Sequence, residues 1–205
     1  QGLTIEGLNG LPPLGDCPDV ACAAWNLAWI VDAHTEAANR KRAQIVALLA
    51  RGLPVLLQET HWHPAAASVW RGTLPAGALA FSCEPAKPRD PASPGQDKRG
   101  GGGAVVLPAG WEILQEYEHV PGRILAVLAA GPQGVRRAFV SVYHPPEAGP
   151  GAAGDLEDIP RWDVPTLVAG DFNVDFGQPR DASRVAVAEL YAGWAARRGL
   201  ARLAY

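Results

Sequence analysis

The chain has 205 residues, a formal net charge of −3 and 48% hydrophobic residues, which is the size of one globular domain and too apolar for a disordered chain. The negative charge gives no overall attraction to nucleic acid, and no apolar stretch reaches the ~18 residues of a membrane-spanning helix. Three cysteines, at positions 17, 22 and 83, are too few for a disulfide framework, so we expect a reducing, intracellular location.

The predicted elements begin after an irregular arm, residues 1–20, which is rich in glycine, proline and leucine. Residues 21–31 form an apolar run interrupted by Asn26, which predicts a buried strand that presents a polar group. A helix with apolar residues at helical spacing over 45–49 should follow and end near Gly52, where a left-handed cap is typical.

Strand candidates fill most of the middle of the chain. Pro54 to Glu59 is a short apolar run that ends in a carboxylate, and Thr166 to Gly170 is another buried run. The four candidates between residues 102 and 144, separated by proline and glycine turns, predict an antiparallel meander. Besides the two runs, the strand candidates are 78–83, 102–107, 111–118, 123–130 and 136–144.

The C-terminal segment predicts a second helix, in which apolar residues at helical spacing form a stripe closed by Gly199. Stretches rich in glycine and proline, 84–102 and 145–160, predict long loops. We therefore expect a single domain of mixed α and β structure over residues 21–205. The stripe consists of Val187, Leu190, Tyr191 and Trp194.

The segment VAGDFNVDF at 168–176 places Asp171, Asn173 and Asp175 on one side of an extended chain. A calcium-binding loop is excluded by spacing, because its sixth position needs glycine and is Phe176, and its twelfth needs glutamate and is Ala182. A plain Asp/Asn turn remains an alternative interpretation.

Other predicted strands also end in polar groups. Asn26 lies in one strand, Glu59 ends another, and Tyr143 ends the alternating run Phe139, Ser141, Tyr143. Together with the segment around Asp171, four strand ends present polar side chains, which is typical of an active site at the rim of a sheet.

Five motifs occur in order along the chain, and together they resemble the endonuclease/exonuclease/phosphatase superfamily. Within it, LQET and the meander are most similar to the endonuclease domains of non-LTR retrotransposons and to abasic-site endonucleases. The motifs are WN at 25–26, LQET at 57–60, GGGAVVL at 101–107, VYHPP at 142–146 and GDFN at 170–173.

The resemblance implies an α/β (α+β) fold, a four-layered sandwich of two packed mixed sheets. It also implies hydrolysis of phosphodiesters, with endonucleolytic cleavage of DNA as the expected reaction and Mg²⁺, or Mn²⁺, as the cofactor. By motif match, Glu59 and Asn26 would hold the metal, Asp171 would orient or deprotonate the attacking water, Asn173 would donate to the phosphate, and Tyr143 would contact the phosphate or stabilise developing charge.

His61 and Arg123 are phosphate-binding candidates. In the family, an Asp that orients a histidine and a closing Ser-Asp-His-like motif follow GDFN, whereas this chain ends at Tyr205 and its five histidines all precede GDFN. We therefore expect the catalytic histidine and the last strands to be absent and the activity to be impaired. Because the chain also contains no methionine, we expect a piece of a longer protein. The resemblance further implies a reverse-transcriptase domain on the same polypeptide and a nuclear or cytoplasmic location.

Alternative functions stay open at this point. The chain could be a noncatalytic or decayed binding module of the same fold, or a phosphatase that acts on a small phosphoester. A facial metal site on one strand, formed by Glu59, His61 and His63, is a further alternative.

Several other residues receive local interpretations. Trp62 is a candidate for stacking on a nucleic-acid base, and His144 is expected to be a surface or loop histidine with satisfied hydrogen bonds. The basic sets Arg40, Lys41 and Arg42 and Arg197 and Arg198 are expected to be solvated helix surfaces that could contact a nucleic-acid backbone.

Overall fold

The computed structural model describes residues 22–27, 35–62, 64–83, 101–145, 149, 151–174 and 182–200. Interpretations that fall on the arm before residue 22, on His63, on most of the loop 84–102 and on Asp175 lie outside the described residues.

The described ranges contain eight strands and four helices. Each strand lies inside a predicted strand segment or extends beyond it by at most two residues. The strands are β1 Ala23–Asn26, β2 Val55–Gln58, β3 Leu79–Cys83, β4 Gly103–Leu107, β5 Glu112–Val120, β6 Ile124–Ala130, β7 Arg136–Tyr143 and β8 Thr166–Asp171. The helices are α1 Glu36–Ala50, α2 Pro64–Arg71, α3 Gly151–Gly154 and α4 Ala182–Arg197.

The strands form two mixed sheets of four, in the orders β1-β2-β4-β3 and β5-β6-β7-β8. The pairs β1–β2 and β7–β8 are parallel and the others are antiparallel. The predicted four-strand meander is wrong in one respect: β4 lies in the first sheet, and only β5, β6 and β7 form a meander. Turn residues at 108–110 indicate that the chain reverses, but they do not indicate which sheet the next strand joins.

Three apolar layers confirm the four-layered sandwich. Strand β2 shows the alternation, because Leu56 packs between the two sheets while Val55 and Leu57 face helices α1 and α2. The inter-sheet layer also contains Val105, Leu107, Leu125, Val127, Ala129, Phe139 and Leu167. A third layer, between the second sheet and α4, includes Ile124, Val140, Val142, Leu156, Val187, Tyr191 and Trp194.

Helix α1 confirms the predicted C-terminal cap, and its N-terminal cap was not predicted. The hydroxyl of Thr35 accepts a hydrogen bond of 3.2 Å from the backbone N–H of Ala38, and Gly52 has a left-handed φ of +78° after the helix. In α4 the predicted stripe is wrong at one position, since Leu190 is 43% exposed. Its neighbours Val187, Tyr191 and Trp194 already form the buried i, i+4, i+7 row.

Helix α2 is not among the predicted elements, and Pro64 is its first residue, a position where proline is favoured. Its packing makes the stacking role proposed for Trp62 wrong. Trp62 is only 2% exposed, and its ring lies 4.3 Å from that of Trp70, centroid to centroid. The indole is therefore part of the core.

No helix in the described ranges is long and apolar enough to cross a membrane.

Candidate active site

Four strand ends meet at one end of the two sheets. Asn26 ends β1 and has Gln58, the end of β2, as its register partner. In the other sheet, Tyr143 ends β7 and has Asp171, the end of β8, as its register partner. The Nδ2 of Asn26 donates a hydrogen bond of 2.6 Å to Oδ2 of Asp171. The structure therefore joins the two sheets through side chains that are far apart in sequence.

Both carboxylate oxygens of Asp171 accept a hydrogen bond. The second comes from the backbone N–H of Asn173 to Oδ1, at 2.9 Å. This bond closes an Asx turn, which agrees with the local turn interpretation and allows it to coexist with a site. Asn173 has a φ of +50°, a left-handed conformation that asparagine tolerates better than most residues.

The Asn173 side chain lies against the end of β7. Its Nδ2 donates a hydrogen bond of 2.7 Å to the backbone carbonyl of His144. The backbone N–H of His144 in turn donates to the carbonyl of Asp171, at 2.9 Å. These bonds fix the orientation of the Asn173 carboxamide relative to Asp171.

Glu59 is the first residue after β2, one position beyond the register partner of Asn26. It is half-buried, and neither Glu59 nor Asp171 forms an ion pair with another described residue. Of the four described non-glycine residues with positive φ, three lie in this region: Glu59 and His61 at +51° and Asn173 at +50°. Such strain concentrates at functional sites.

The glycine-rich start of β4 supports the Glu59 segment. Backbone N–H groups of Thr60 and His61 donate to the carbonyls of Gly102 and Gly101, at 3.2 and 3.1 Å. A Cβ at Gly101 would lie 2.6 Å from the carbonyl oxygen of Gly122, so a larger residue does not fit without backbone movement. Gly101 therefore has a packing role here.

A buried polar bridge between the sheets lies directly behind the strand ends. The Nε2 of Gln58 donates to Oγ of Ser141 at 2.9 Å, and that hydroxyl donates to the carbonyl of Leu57 at 3.1 Å. Gln58 and Ser141 are 1% and 2% exposed. The sequence motifs indicate no role for either side chain, although a glutamine in an otherwise apolar strand is a signal of such a bridge.

The expectation for His144 is wrong, because this residue is completely buried. Its Nδ1 shares a hydrogen bond of 2.5 Å with the hydroxyl of Tyr191. Burial, the largest cause, lowers the pKa of His144 to about 4; Asp155 opposes this shift and Arg123 adds to it. The imidazole is therefore neutral at physiological pH.

Acid is expected to destabilise the protein through His144. Because its pKa falls from 6.5 to about 4 on folding, the unfolded chain binds a proton in this range that the native state does not, and stability decreases as the pH falls from 6.5 towards 4. The full loss is about 3 kcal/mol. Urea unfolding at about pH 7 and about pH 4.5 measures it. The acid slope should be shallower in His144→Asn, and equal slopes would contradict this origin.

The remaining candidates lie at the same end of the sheets. The backbone N–H of Tyr143 donates to the carbonyl of Arg123 at 2.7 Å, which places the residue before β6 beside the end of β7. Tyr143 and His61 are each 7% exposed. Both present little surface to a ligand.

The strand proposed for the facial metal site is not formed. β2 ends at Gln58, and the left-handed φ of Glu59 and His61 breaks the alternation that would place these side chains on one face. In the part of the chain that the structure describes, no three His, Cys, Asp or Glu side chains group together as metal ligands.

Lys41 and Arg198 are less solvated than predicted, whereas Arg40 and Arg197 are exposed, as expected. Lys41 donates to the backbone carbonyl of Leu27, directly after Asn26, and burial lowers its pKa. Arg198 donates to the backbone carbonyls of residues 156, 157, 159 and 160, while Arg197 pairs with Glu157. These arginines hold the end of α4 against residues 156–160.

No known family profile and no curated protein matches the sequence. Three similar solved structures are the endonuclease domain of TRAS1, a telomere-specific non-LTR retrotransposon, an endonuclease/exonuclease/phosphatase family protein from Bacteroides thetaiotaomicron, and D. rerio TDP2 complexed with a single-strand DNA product. Identities are 16, 14 and 19%, and TM-scores are 0.54, 0.53 and 0.50.

The similarity extends over most of this chain and about two thirds of the others. The match covers 86, 80 and 83% of this chain and 69, 66 and 65% of those chains, in the same order. The chain therefore has the endonuclease/exonuclease/phosphatase fold that its motifs predict.

Proposed function

We propose that this chain, by itself or within a longer protein, hydrolyses phosphodiester bonds in nucleic acid with the help of a divalent cation. The observation that supports this best is the 2.6 Å bond between Asn26 and Asp171. It brings a carboxylate, an amide and the Glu59 segment to one mouth between two sheets, where hydrolytic sites of sheet proteins are commonly built.

The donor set suits a hard cation. Since the Nδ2 of Asn26 faces Asp171, its amide oxygen is the atom that Asn26 can offer to a metal, and Glu59 supplies a carboxylate without a competing ion pair among the described residues. Mg²⁺ takes one or two carboxylates, further oxygens and several waters, and Mn²⁺ accepts similar ligands. When bound, such a cation would neutralise charge on the phosphate.

Asp171 is the proposed base. Each of its oxygens accepts one hydrogen bond, which leaves further lone pairs on both. A water held by this carboxylate would transfer a proton to it as the water oxygen attacks phosphorus, and the bond from phosphorus to the leaving oxygen then breaks. The two existing bonds keep the carboxylate oriented during this step.

Asn173 is the main proposed phosphate contact, and Arg123, Tyr143 and His61 are secondary candidates because Tyr143 and His61 are each only 7% exposed. The bond to His144 orients the Asn173 carboxamide, which would donate to a phosphate oxygen. Arg123 carries a permanent positive charge at the same end of the sheets. Donors placed where negative charge develops stabilise the transition state.

DNA is the proposed polymer. This assignment rests on the likeness of the fold to an endonuclease domain from a retrotransposon and to a protein complexed with single-strand DNA, and on the LQET and GDFN motifs. Nicking of supercoiled plasmid, compared with cleavage of RNA and of a small phosphate monoester, tests it. Turnover of the monoester alone would favour the phosphatase alternative.

Glu59→Gln is expected to weaken Mg²⁺ and Mn²⁺ binding by about 10- to 100-fold, because it removes the negative charge from the proposed ligand. Calorimetric titration of Mn²⁺ measures this without requiring turnover. Glu112→Gln, at an exposed position of β5, is the matched control and should bind the metal like the unmodified chain. Undiminished binding by Glu59→Gln, together with hydrolysis in the presence of a chelator, would contradict the proposed metal site.

A further inference from the structure

A buried histidine–tyrosine pair connects α4 to the candidate site. His144 and Tyr191 are 0% and 3% exposed, and their rings stack with centroids 5.3 Å apart at an interplanar angle of 9°. The hydroxyl of Tyr191 meets Nδ1 of His144 at 2.5 Å. The motif match gave this pair no role.

The backbone of His144 holds both parts of the GDFN turn. Its N–H donates to the carbonyl of Asp171 at 2.9 Å, and its carbonyl accepts from the side chain of Asn173 at 2.7 Å. A rotation of the peptide groups around residue 144 would therefore move the proposed base and the proposed phosphate donor together.

The ring of His144 also contacts the same turn. Phe172, between Asp171 and Asn173, packs edge-on against His144 and against Tyr191, with centroid distances of 6.1 and 5.2 Å. Tyr191 belongs to a helix whose buried row packs on the second sheet. The helix thus fixes the imidazole, and the imidazole fixes the turn.

Burial of this imidazole has an energetic cost. Its Nε2 has no hydrogen-bond partner among the described residues, and a buried polar atom without a partner destabilises a fold. An aliphatic side chain would fill the same space without that cost. The directional bond to Tyr191 is what an aliphatic side chain cannot provide.

We propose that His144 and Tyr191 are positioning residues that hold the Asn173 carboxamide and the Asp171 carboxylate in their working orientation. The proposal deepens the proposed function and rests on it for its catalytic consequence. Neither residue touches the substrate; both act through the backbone of residue 144.

Tyr191→Phe removes only the hydroxyl and is expected to lower kcat by about 10- to 100-fold with KM changed less than about twofold, since a small misplacement of reacting groups costs rate rather than binding. Tyr117→Phe is the matched control, because the hydroxyl of Tyr117 likewise forms a hydrogen bond, which it donates to the backbone carbonyl of Asp158 at 3.0 Å. Its kcat should stay within about twofold of the unmodified value.

A pair of substitutions at position 144 separates positioning from packing. His144→Asn keeps a polar atom near the place of Nδ1 for the Tyr191 hydroxyl, whereas His144→Leu keeps only volume. The asparagine variant should retain more of the activity than the leucine variant at equal thermal stability. Equal losses in both would overturn the proposal.

The side-chain amide signals of Asn173 in an NMR spectrum, assigned with Asn173→Asp, give a readout independent of hydrolysis. In folded Tyr191→Phe, or in folded His144→Leu if the former does not fold, these signals should shift and lose protection against hydrogen exchange. Unchanged Asn173 signals would overturn the positioning role. Changed signals would support the positioning role even if neither this chain nor a longer protein that contains it cleaved phosphodiesters, a result that would overturn the proposed function instead.

Discussion

Asp171→Asn is expected to reduce phosphodiester hydrolysis by about 10²- to 10⁴-fold, because the neutral amide cannot accept the proton of the attacking water. The substitution keeps the shape of the side chain, and it can still accept the hydrogen bond that Asn26 donates to Asp171. The amide nitrogen of the variant cannot accept the bond that the Asn173 N–H donates to the other oxygen of Asp171. Loss of this bond should lower the free energy of unfolding by no more than about 1–3 kcal/mol. Initial rates of plasmid nicking at saturating Mg²⁺ measure the effect.

Asp158→Asn is the matched control for this experiment. Asp158 has a side chain that is 73% exposed and lies near His119 of β5, the strand at the opposite edge of the second sheet from β8. The Asp158→Asn variant should nick plasmid at the same rate as the unmodified chain. If Asp171→Asn cleaved as fast as this control, Asp171 would not be the base.

Gly170→Ala is expected to destabilise the protein by more than about 3 kcal/mol, or to prevent folding. A Cβ at this position would lie 1.9 Å from the carbonyl oxygen and 2.7 Å from the carbonyl carbon of Val142. These are backbone atoms of the neighbouring strand, so the only relief is separation of β7 from β8. Urea unfolding followed by circular dichroism measures the loss.

Gly193→Ala provides the contrasting substitution. Its Cβ would meet only the guanidinium nitrogen of Arg197, at 3.3 Å, and that flexible side chain can move. Because glycine in a helix interior is unfavourable, the alanine variant should be more stable by about 0.5–1 kcal/mol. Normal stability of Gly170→Ala would show that β7 and β8 do not pair as described.

Gly170 and Gly101 are required for reasons that lie in the tertiary structure. Gly170 was predicted to end a strand, which is where the motif places it, but the sequence contains no sign that the carbonyl of Val142 lies against its Cα. Whether a glycine is required depends on the backbone opposite it. The same holds for Gly101, whose neighbour is Gly122.

The buried polar pairs show a similar limit. Ser141 was visible only as one member of an alternating run, and its partner Gln58 is 83 residues away. His144 was assigned to a surface or loop because its neighbour in the motif was expected to face the site. Only the packing of α4, which brings Tyr191 to its ring, buries it.

The sequence alone determined the strands and the helices α1 and α4, since periods of 2 and 3.6 residues and their caps are local properties. It also determined that Asp171 and Glu59 lie at or directly after strand ends. The tertiary structure decided which sheet β4 joins and which side chains meet. The contact between Asn26 and Asp171 spans 145 positions, and a contact of that length follows from the packing of two sheets, not from any local pattern.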